Sequence, residues 1–360
     1  MKKCMATVLT VLLLLTGCAK GPEPSETVPV TQTSPSTAPV TTAPEITTPE
    51  TTAPEPAGLD PLTGQALEAP YDNSRPYAVM VNNIKVAQPQ CGISQADILY
   101  EVLAEGGITR TMAIFSTMGD QPLGSIRSLR PYYLSIARAY DAIVVHAGGS
   151  EQAYSDLSSS GWDHIDGVRG ANSGSYYYRV QSRIDTAGYE HSLFIDGDDV
   201  REYATYMDCR FLHDEDYSSG LSFSQDPMEQ GDPATAVTVH FRTSKTTSFE
   251  YDSQTGLYSA SQYDKAYADG NNDETLTFRN LLVLYAETKT VDDYGRLAVT
   301  LTGQGEGYLV RDGKCISILW SRTGEDEPFR YTSADGTPVD LGVGKTYVGV
   351  TPPGSDLDLA

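Results

Sequence analysis

Basic residues are scarce in this chain. Its 360 residues hold 25 Lys and Arg against 48 Asp and Glu, for a formal net charge of -23. That balance argues against a nucleic-acid binder, which neutralises phosphates with clustered Lys and Arg. It argues equally against adhesion to anionic lipid through a basic face. Cysteine is rarer still, with 5 in the whole chain. Beyond the amino terminus only Cys91, Cys209 and Cys315 remain. Three thiols cannot all pair within one molecule, and their spacing fits no metal pattern. They read as small buried or half-buried residues.

Complete catalytic motifs are missing as well. None of His146, His164, His191, His213 and His240 stands in a His-Glu-x-x-His zinc pattern. Gly148 and Ser150 begin a serine elbow, but Gln152 stands where its second glycine belongs. Gly344-Lys345-Thr346 imitates the end of a phosphate loop whose first glycine is replaced by Val339. Asp269, Asn271 and Asp273 imitate a calcium loop, with Glu274 in place of its glycine and Asn280 in place of its last Glu. A solvated acidic loop is expected there, and neither a metal nor a cofactor is expected anywhere. His213, in His-Asp-Glu-Asp, and His240, on the polar face of a strand, read as solvated. Glu101 and Glu105 read as surface charge on a hairpin.

Long apolar runs are confined to the leader. Lys2 and Lys3 precede the run Val8–Leu15, which is too short to span a bilayer. Leu15-Thr16-Gly17-Cys18 then matches the bacterial lipobox. Residues 1–17 are expected to be a lipoprotein signal peptide. Cys18 is expected to carry the lipid, a diacylglyceryl group with palmitate-type chains, which would anchor the protein to the extracytoplasmic face of the cell membrane. Residues 18–57 are built almost wholly from Thr, Pro, Ser, Ala, Val and Glu. Such a segment cannot bury enough surface to offset chain entropy. It reads as a tether reaching on the order of 100 Å.

What is present is concentrated in Ser125–Glu151. Arg127, Ser128 and Arg130 precede Pro131, a good first residue for a helix. Tyr133, Ile136, Ala137 and Tyr140 then share one helical face. Ile143-Val144-Val145 reads as a strand covered on both sides. His146 ends it, Gly148 and Gly149 turn the chain, and Ser150 suits the cap of a helix through Gln152, Tyr154 and Leu157. In open α/β sheets ligands bind outside the carboxyl ends of strands, and helix starts favour negative charge. Arginine forks would add donors for carboxylate or phosphate.

The fold class expected is α+β. Residues 58–228 read as an N-terminal α/β domain with a mixed sheet, including a hairpin-like pair of apolar runs, 96–103 with 109–115. Residues 160–192 read as mostly irregular, and Asp198 as the cap of a following helix. Residues 229–352 read as a mostly antiparallel β domain. Its clearest hairpin turns at Asp312-Gly313, a type I′ signature. Residues 353–360 read as a loose tail.

The segments PLTG, RPYAVMVNN, ADILYEVLAEGGITR, IRSLRPYY and YDAIVVHAGGS resemble the YerB-like family of bacterial lipoproteins. The resemblance continues through Tyr251-Asp252, Gly305 to Trp320 and Gly344-Lys345-Thr346, so it covers nearly all of 58–352. It implies an N-terminal α/β part, a β-rich C-terminal part, and a lipid-anchored extracytoplasmic protein of a Gram-positive bacterium. It supplies no reaction. Where the family has a His-Asn pair this chain has His191-Ser192.

The function expected is binding of an anionic cell-wall component, or of a partner protein, in the cell envelope. The site would comprise Arg127, Ser128, Arg130, His146, Gly148, Gly149 and Ser150. The alternative is an envelope enzyme acting on wall polymers, with His146 as general acid or base and His191 facing it.

Overall fold

The computed structural model describes residues 58–360. The expectations for the signal peptide, Cys18 and the tether lie outside them. Among the described residues no helix is long and apolar enough to cross a membrane.

The strands of the first half follow the apolar runs. They are β1 (Tyr77–Asn82), β2 (Ile98–Leu103) and β3 (Thr109–Phe115), with β2 and β3 forming the expected antiparallel hairpin. Helix α1 (Pro131–Ala139) has Pro131 at its first turn and leads into β4 (Ile143–His146). Helix α2 (Glu151–Ser160) is capped by Ser150, whose side chain accepts from the Ala153 N–H at 3.2 Å. It ends at Gly161 in the left-handed region, φ 64°. The stretch 160–192 is more ordered than its glycines suggest. It holds β5 (His164–Asp166), a strand at Tyr177–Arg179 and helix α3 (Gln181–Ala187). Helix α4 (Gly197–Tyr206) starts one residue after Asp196, not at Asp198.

The second half supplies β6 (Ala236–Arg242), β7 (Lys245–Asp252), β8 (Leu257–Gln262) and β9 (Asn280–Tyr285). A small hairpin, β10 (Thr288–Thr290) with β11 (Leu297–Val299), stands apart as its own two-stranded sheet. The long hairpin of β12 (Gly303–Arg311) and β13 (Lys314–Arg322) turns at Asp312 and Gly313 with φ 57° and 72°, both left-handed as a type I′ turn requires. Last come β14 (Thr346–Thr351) and β15 (Leu357–Leu359). Strand β15 is a correction to the loose tail expected at 353–360. It pairs with β6, Val237 opposite Leu359 and Val239 opposite Leu357.

The fold is α+β, built on two large sheets with smaller ones beside them. One has 11 strands and runs β13–β12–β9–β14–β2–β3–β1–β4–β5 along its main path. The other has 6 strands and is antiparallel around β8–β7–β6–β15. Strand β14, from the end of the chain, lies between β9 and β2 and is parallel to both. The boundary expected between 228 and 229 therefore runs through the large sheet. Buried strands this apolar, such as β9 and β14, belong inside a sheet.

A buried carboxylate joins the two halves. Glu101 on β2 is 0% exposed, a correction to its reading as surface charge. It accepts hydrogen bonds from Asn83, Thr109, Thr247, Gln262 and Tyr347, and Lys245 Nζ lies 3.1 Å from it. Asp269 is likewise no solvated loop residue. It is buried and accepts from the Gly92, Ser94 and Asn271 N–H groups. His213, also expected in solvent, is buried with Nδ1 2.9 Å from Asp141. His240 bonds to Asp358 on β15 at 2.7 Å.

Candidate functional site

Strands β1, β2, β4, β5, β9 and β14 all run the same way, and β3 runs against them. Their carboxyl ends therefore share one edge with the start of β3. That edge gathers Asn82 and Asn83, the turn at Glu105–Gly107, Arg110, His146 to Ser150, and Asp166.

The loop 125–130 and the turn after His146 meet there through their backbones. The Ala147 N–H donates to Arg127 O at 3.0 Å, the Leu129 N–H to Gly148 O at 2.9 Å, and the Ser150 N–H to Leu129 O at 3.2 Å. Gly148 turns with φ 73°. Its own N–H is held by Asp166 Oδ1 at 2.8 Å, so it is not free for an anion. Gly149 bridges Leu129, and a side chain added to Gly148 would come within 3.6 Å of Ser128 Oγ.

The guanidinium groups were expected to be open to solvent. Arg130 is instead buried and bonded through Nε and Nη2 to Glu105, which also takes Arg110 Nη2 at 3.0 Å. Glu105 is thus the carboxylate of an internal pair, not a free surface acid. Burial alone would raise its carboxyl. The Arg130 hydrogen bond and the charges of Arg110 and Arg130 outweigh that and take it to about 2. Arg127 has no carboxylate partner. Its Nη1 donates to Glu190 O, and its buried Nε bonds to nothing. Burial, with Arg110 adding like charge, lowers its affinity for its proton to about 10, so it stays cationic at neutral pH. Two arginines therefore pair with one half-buried carboxylate, and a third, Arg127, stands nearby without a carboxylate partner.

His146 does not sit in a cleft. It is 0% exposed. A carbonyl can only accept, so Nδ1 donates to Gly148 O at 2.8 Å, and Nε2 accepts from His164 Nδ1 at 3.0 Å. Both nitrogens are occupied, and burial lowers its affinity for a proton. The expected acid–base role for His146 is corrected on that ground. His191 does not face it. Its Nδ1 lies 2.8 Å from Asn82 Nδ2 and its Nε2 3.1 Å from Glu190 Oε1, and burial followed by the charge of Arg127 keeps it neutral more readily.

A cleft lies beside this edge. Its volume is about 710 Å³, and it runs between α1, the start of α2 and the β10–β11 hairpin. Arg130 and Ser150 line one part of it. The hairpin contributes Val291 and Arg296, and the neighbouring loop Glu325. Sequence reasoning missed this hairpin as a site element. Thr288–Thr290 and Leu297–Val299 carry ordinary strand signals, and nothing local shows that they fold over α1. Arg110 was missed too, although it stands five residues from Glu105 across the Gly106-Gly107 turn, a reachable pair on a tight hairpin.

The sheet order and the split into a mixed α/β half and a mostly antiparallel β half define a two-part α+β class. The chain belongs to the family described as Protein of unknown function (DUF3048), matching its N-terminal domain over residues 62–210 and its C-terminal domain over 237–348. Among curated proteins it is similar to "Putative lipoprotein YerB" of Bacillus subtilis (strain 168), 29% identical over 304 residues, 83% of this chain and 87% of that protein. Among solved structures it is similar to the crystal structure of YerB protein from Bacillus subtilis. That similarity has a TM-score of 0.71 and 26% identity, covering 83% of this chain and 99% of that one.

Proposed function

We propose that this is a lipid-anchored envelope protein, held by Cys18 at the extracytoplasmic face of the cell membrane, that binds an anionic cell-wall component. The lipobox and the lipoprotein name of its relative support the anchor. The observation that carries the binding reading is the surplus of positive charge around Glu105. Arg110 and Arg130 share that one carboxylate, and Arg127 adds a third guanidinium that no carboxylate neutralises. In a chain so acidic, three arginines gathered along one sheet edge, of which Arg130 lines the cleft, form a local exception to the overall field. Burial makes each charge worth more to an incoming anion than it would be on the surface. Binding without catalysis is favoured because His146, the histidine at this edge, has neither access nor a free ring nitrogen.

The test is co-sedimentation of residues 58–360 with purified insoluble cell wall. Arg127→Gln removes the charge and leaves the Glu105 pairs intact. It is expected to cut the bound fraction by about tenfold in affinity, the value of one charge-assisted hydrogen bond. Unchanged sedimentation with a folded variant rejects the anion reading.

A further inference from the structure

A second pocket lies at the opposite edge of the large sheet, where β1 begins at Tyr77 and β3 ends at Phe115. Its volume is about 530 Å³, and the start of α4 contributes Gly197 and Asp198. Tyr71, Tyr77 and Phe211 give it aromatic walls, and no residue of the Arg127 edge lines it. Several of its polar groups are already occupied. Arg75 is held by Asp141 and Asp163. Asp60 accepts from the Leu62 and Thr63 N–H groups and from the Ser116 hydroxyl. Two donors are not occupied. Tyr77 is 6% exposed, yet its hydroxyl has no hydrogen-bond partner among the described residues. Burial raises its pKa, and the charge of Arg201 opposes that most. Arg201 lies over Phe211, 5.3 Å from the ring centroid, and forms no ion pair among the described residues. The exposed carboxylates of Glu68, Asp72 and Asp198 line the same pocket, and none of them enters an ion pair either.

We infer that this pocket binds an uncharged saccharide, with a sugar face against the aromatic walls, an oxygen on Tyr77 and Arg201, and further hydroxyls on the carboxylates. The inference stands apart from the anion reading above, because the two sites share no residue. A buried hydroxyl without a partner is unfavourable, and an acceptor on a ligand relieves it. The lining acids outnumber the arginines, so an anion is repelled, while Arg201 among them disfavours a cation. The groups left open are therefore donors and acceptors around flat rings. A sugar hydroxyl meets both kinds, since it donates once and accepts twice. The C–H face of a sugar ring fits the apolar body of a tyrosine or phenylalanine. The volume lies within the range of small-molecule sites, about 300–1,000 Å³.

The experiment titrates uncharged oligosaccharides of N-acetylglucosamine into the full chain, kept soluble in a detergent without sugar groups, and follows binding by saturation-transfer NMR. Wild type, Tyr77→Phe, Arg201→Gln and Arg127→Gln are compared, with thermal melting as the check on folding. Saturable binding to the wild type is expected. Tyr77→Phe should weaken it about fivefold and Arg201→Gln about tenfold, and Arg127→Gln should leave it unchanged. Tyr77→Phe deletes a hydroxyl that bonds to nothing in the protein, so its melting temperature should not fall. Affinity lost without stability is a pattern that a merely structural tyrosine does not give. No saturable binding by the wild type, wild-type affinity in both pocket variants, or a loss confined to Arg127→Gln overturns the saccharide pocket. So does a neutral proline-rich peptide that binds where the saccharides do not. None of these outcomes touches the anion reading, which is judged on binding to the wall by Arg127→Gln.

Discussion

Lys245 Nζ lies 3.1 Å from Glu101 Oε1, and both side chains are almost fully buried. One residue comes from β2 and the other from β7, so this pair ties the two sheets together. Burial lowers the affinity of Lys245 for its proton, and Glu101 opposes that. Breaking a buried pair leaves a buried charge without its partner. Lys245→Met is expected to cost about 3 kcal/mol of stability, near the low end for such pairs, because five other donors remain on Glu101. Urea unfolding measures this. A loss below about 1 kcal/mol, the worth of an exposed pair, would show that the network alone carries the join.

The stability of residues 58–360 is expected to fall in two steps on acidification. Burial, followed by the neighbouring His146, lowers His164 from 6.5 to about 4. A histidine with a depressed pKa binds more protons when unfolded, so its contribution is full above pH 6.5 and is lost between about 6.5 and 4. Glu105 is lowered from 4.5 to about 2, so its contribution is present above 4.5 and is lost as pH falls towards 2. Melting temperatures measured from pH 7 to 3 test both. His164→Gln should make the upper step shallower, with the remainder left to His146 and His191, whose proton affinity burial also lowers, and should leave the lower step unchanged. An unaltered slope between pH 6.5 and 4 in that variant contradicts the assignment.

Deletion of residues 356–360 removes β15 and uncovers the edge of β6. It also removes the Ala360 carbonyl, which accepts from the Thr235 and Ala236 N–H groups, and the His240–Asp358 bond. A loss of about 1–3 kcal/mol is expected, with concentration-dependent association through the exposed edge. Differential scanning calorimetry and size-exclusion chromatography read the two effects. A monomer that melts unchanged would make β15 incidental.

Cys18→Ala is expected to move the full chain out of the membrane fraction. Fractionation of cells expressing the wild type and the variant tests this, with metabolic labelling by a clickable fatty acid as the second readout. Label retained on the alanine variant would place the acyl chain elsewhere.

Much of the local structure was legible because it rests on local rules. Pro131 starts α1, Ser150 caps α2, and Asp312-Gly313 turns the long hairpin. Each follows from what one or two residues can do with their own backbone. The insertion of β14 between β9 and β2 was not legible, since a parallel pairing across most of the chain leaves no mark on neighbouring residues. The same limit hid the site. Arg127 and Arg130 were evident as candidates, and their loop does meet the Gly148 turn. Whether a guanidinium faces solvent or an internal acid depends on Glu105, more than twenty residues earlier, and on a hairpin more than 150 residues later. His146 misled for a related reason. The end of a buried strand looks the same in sequence whether it opens on a cleft or, as here, on His164 and a carbonyl.

The most direct test of the account is the affinity of Arg127→Gln for soluble wall fragments, measured by isothermal titration calorimetry beside the wild type and Arg127→Lys. The surplus charge around Glu105 predicts about a tenfold loss for glutamine and substantial recovery for lysine, with melting temperatures close to wild type. Equal affinity in all three proteins contradicts it.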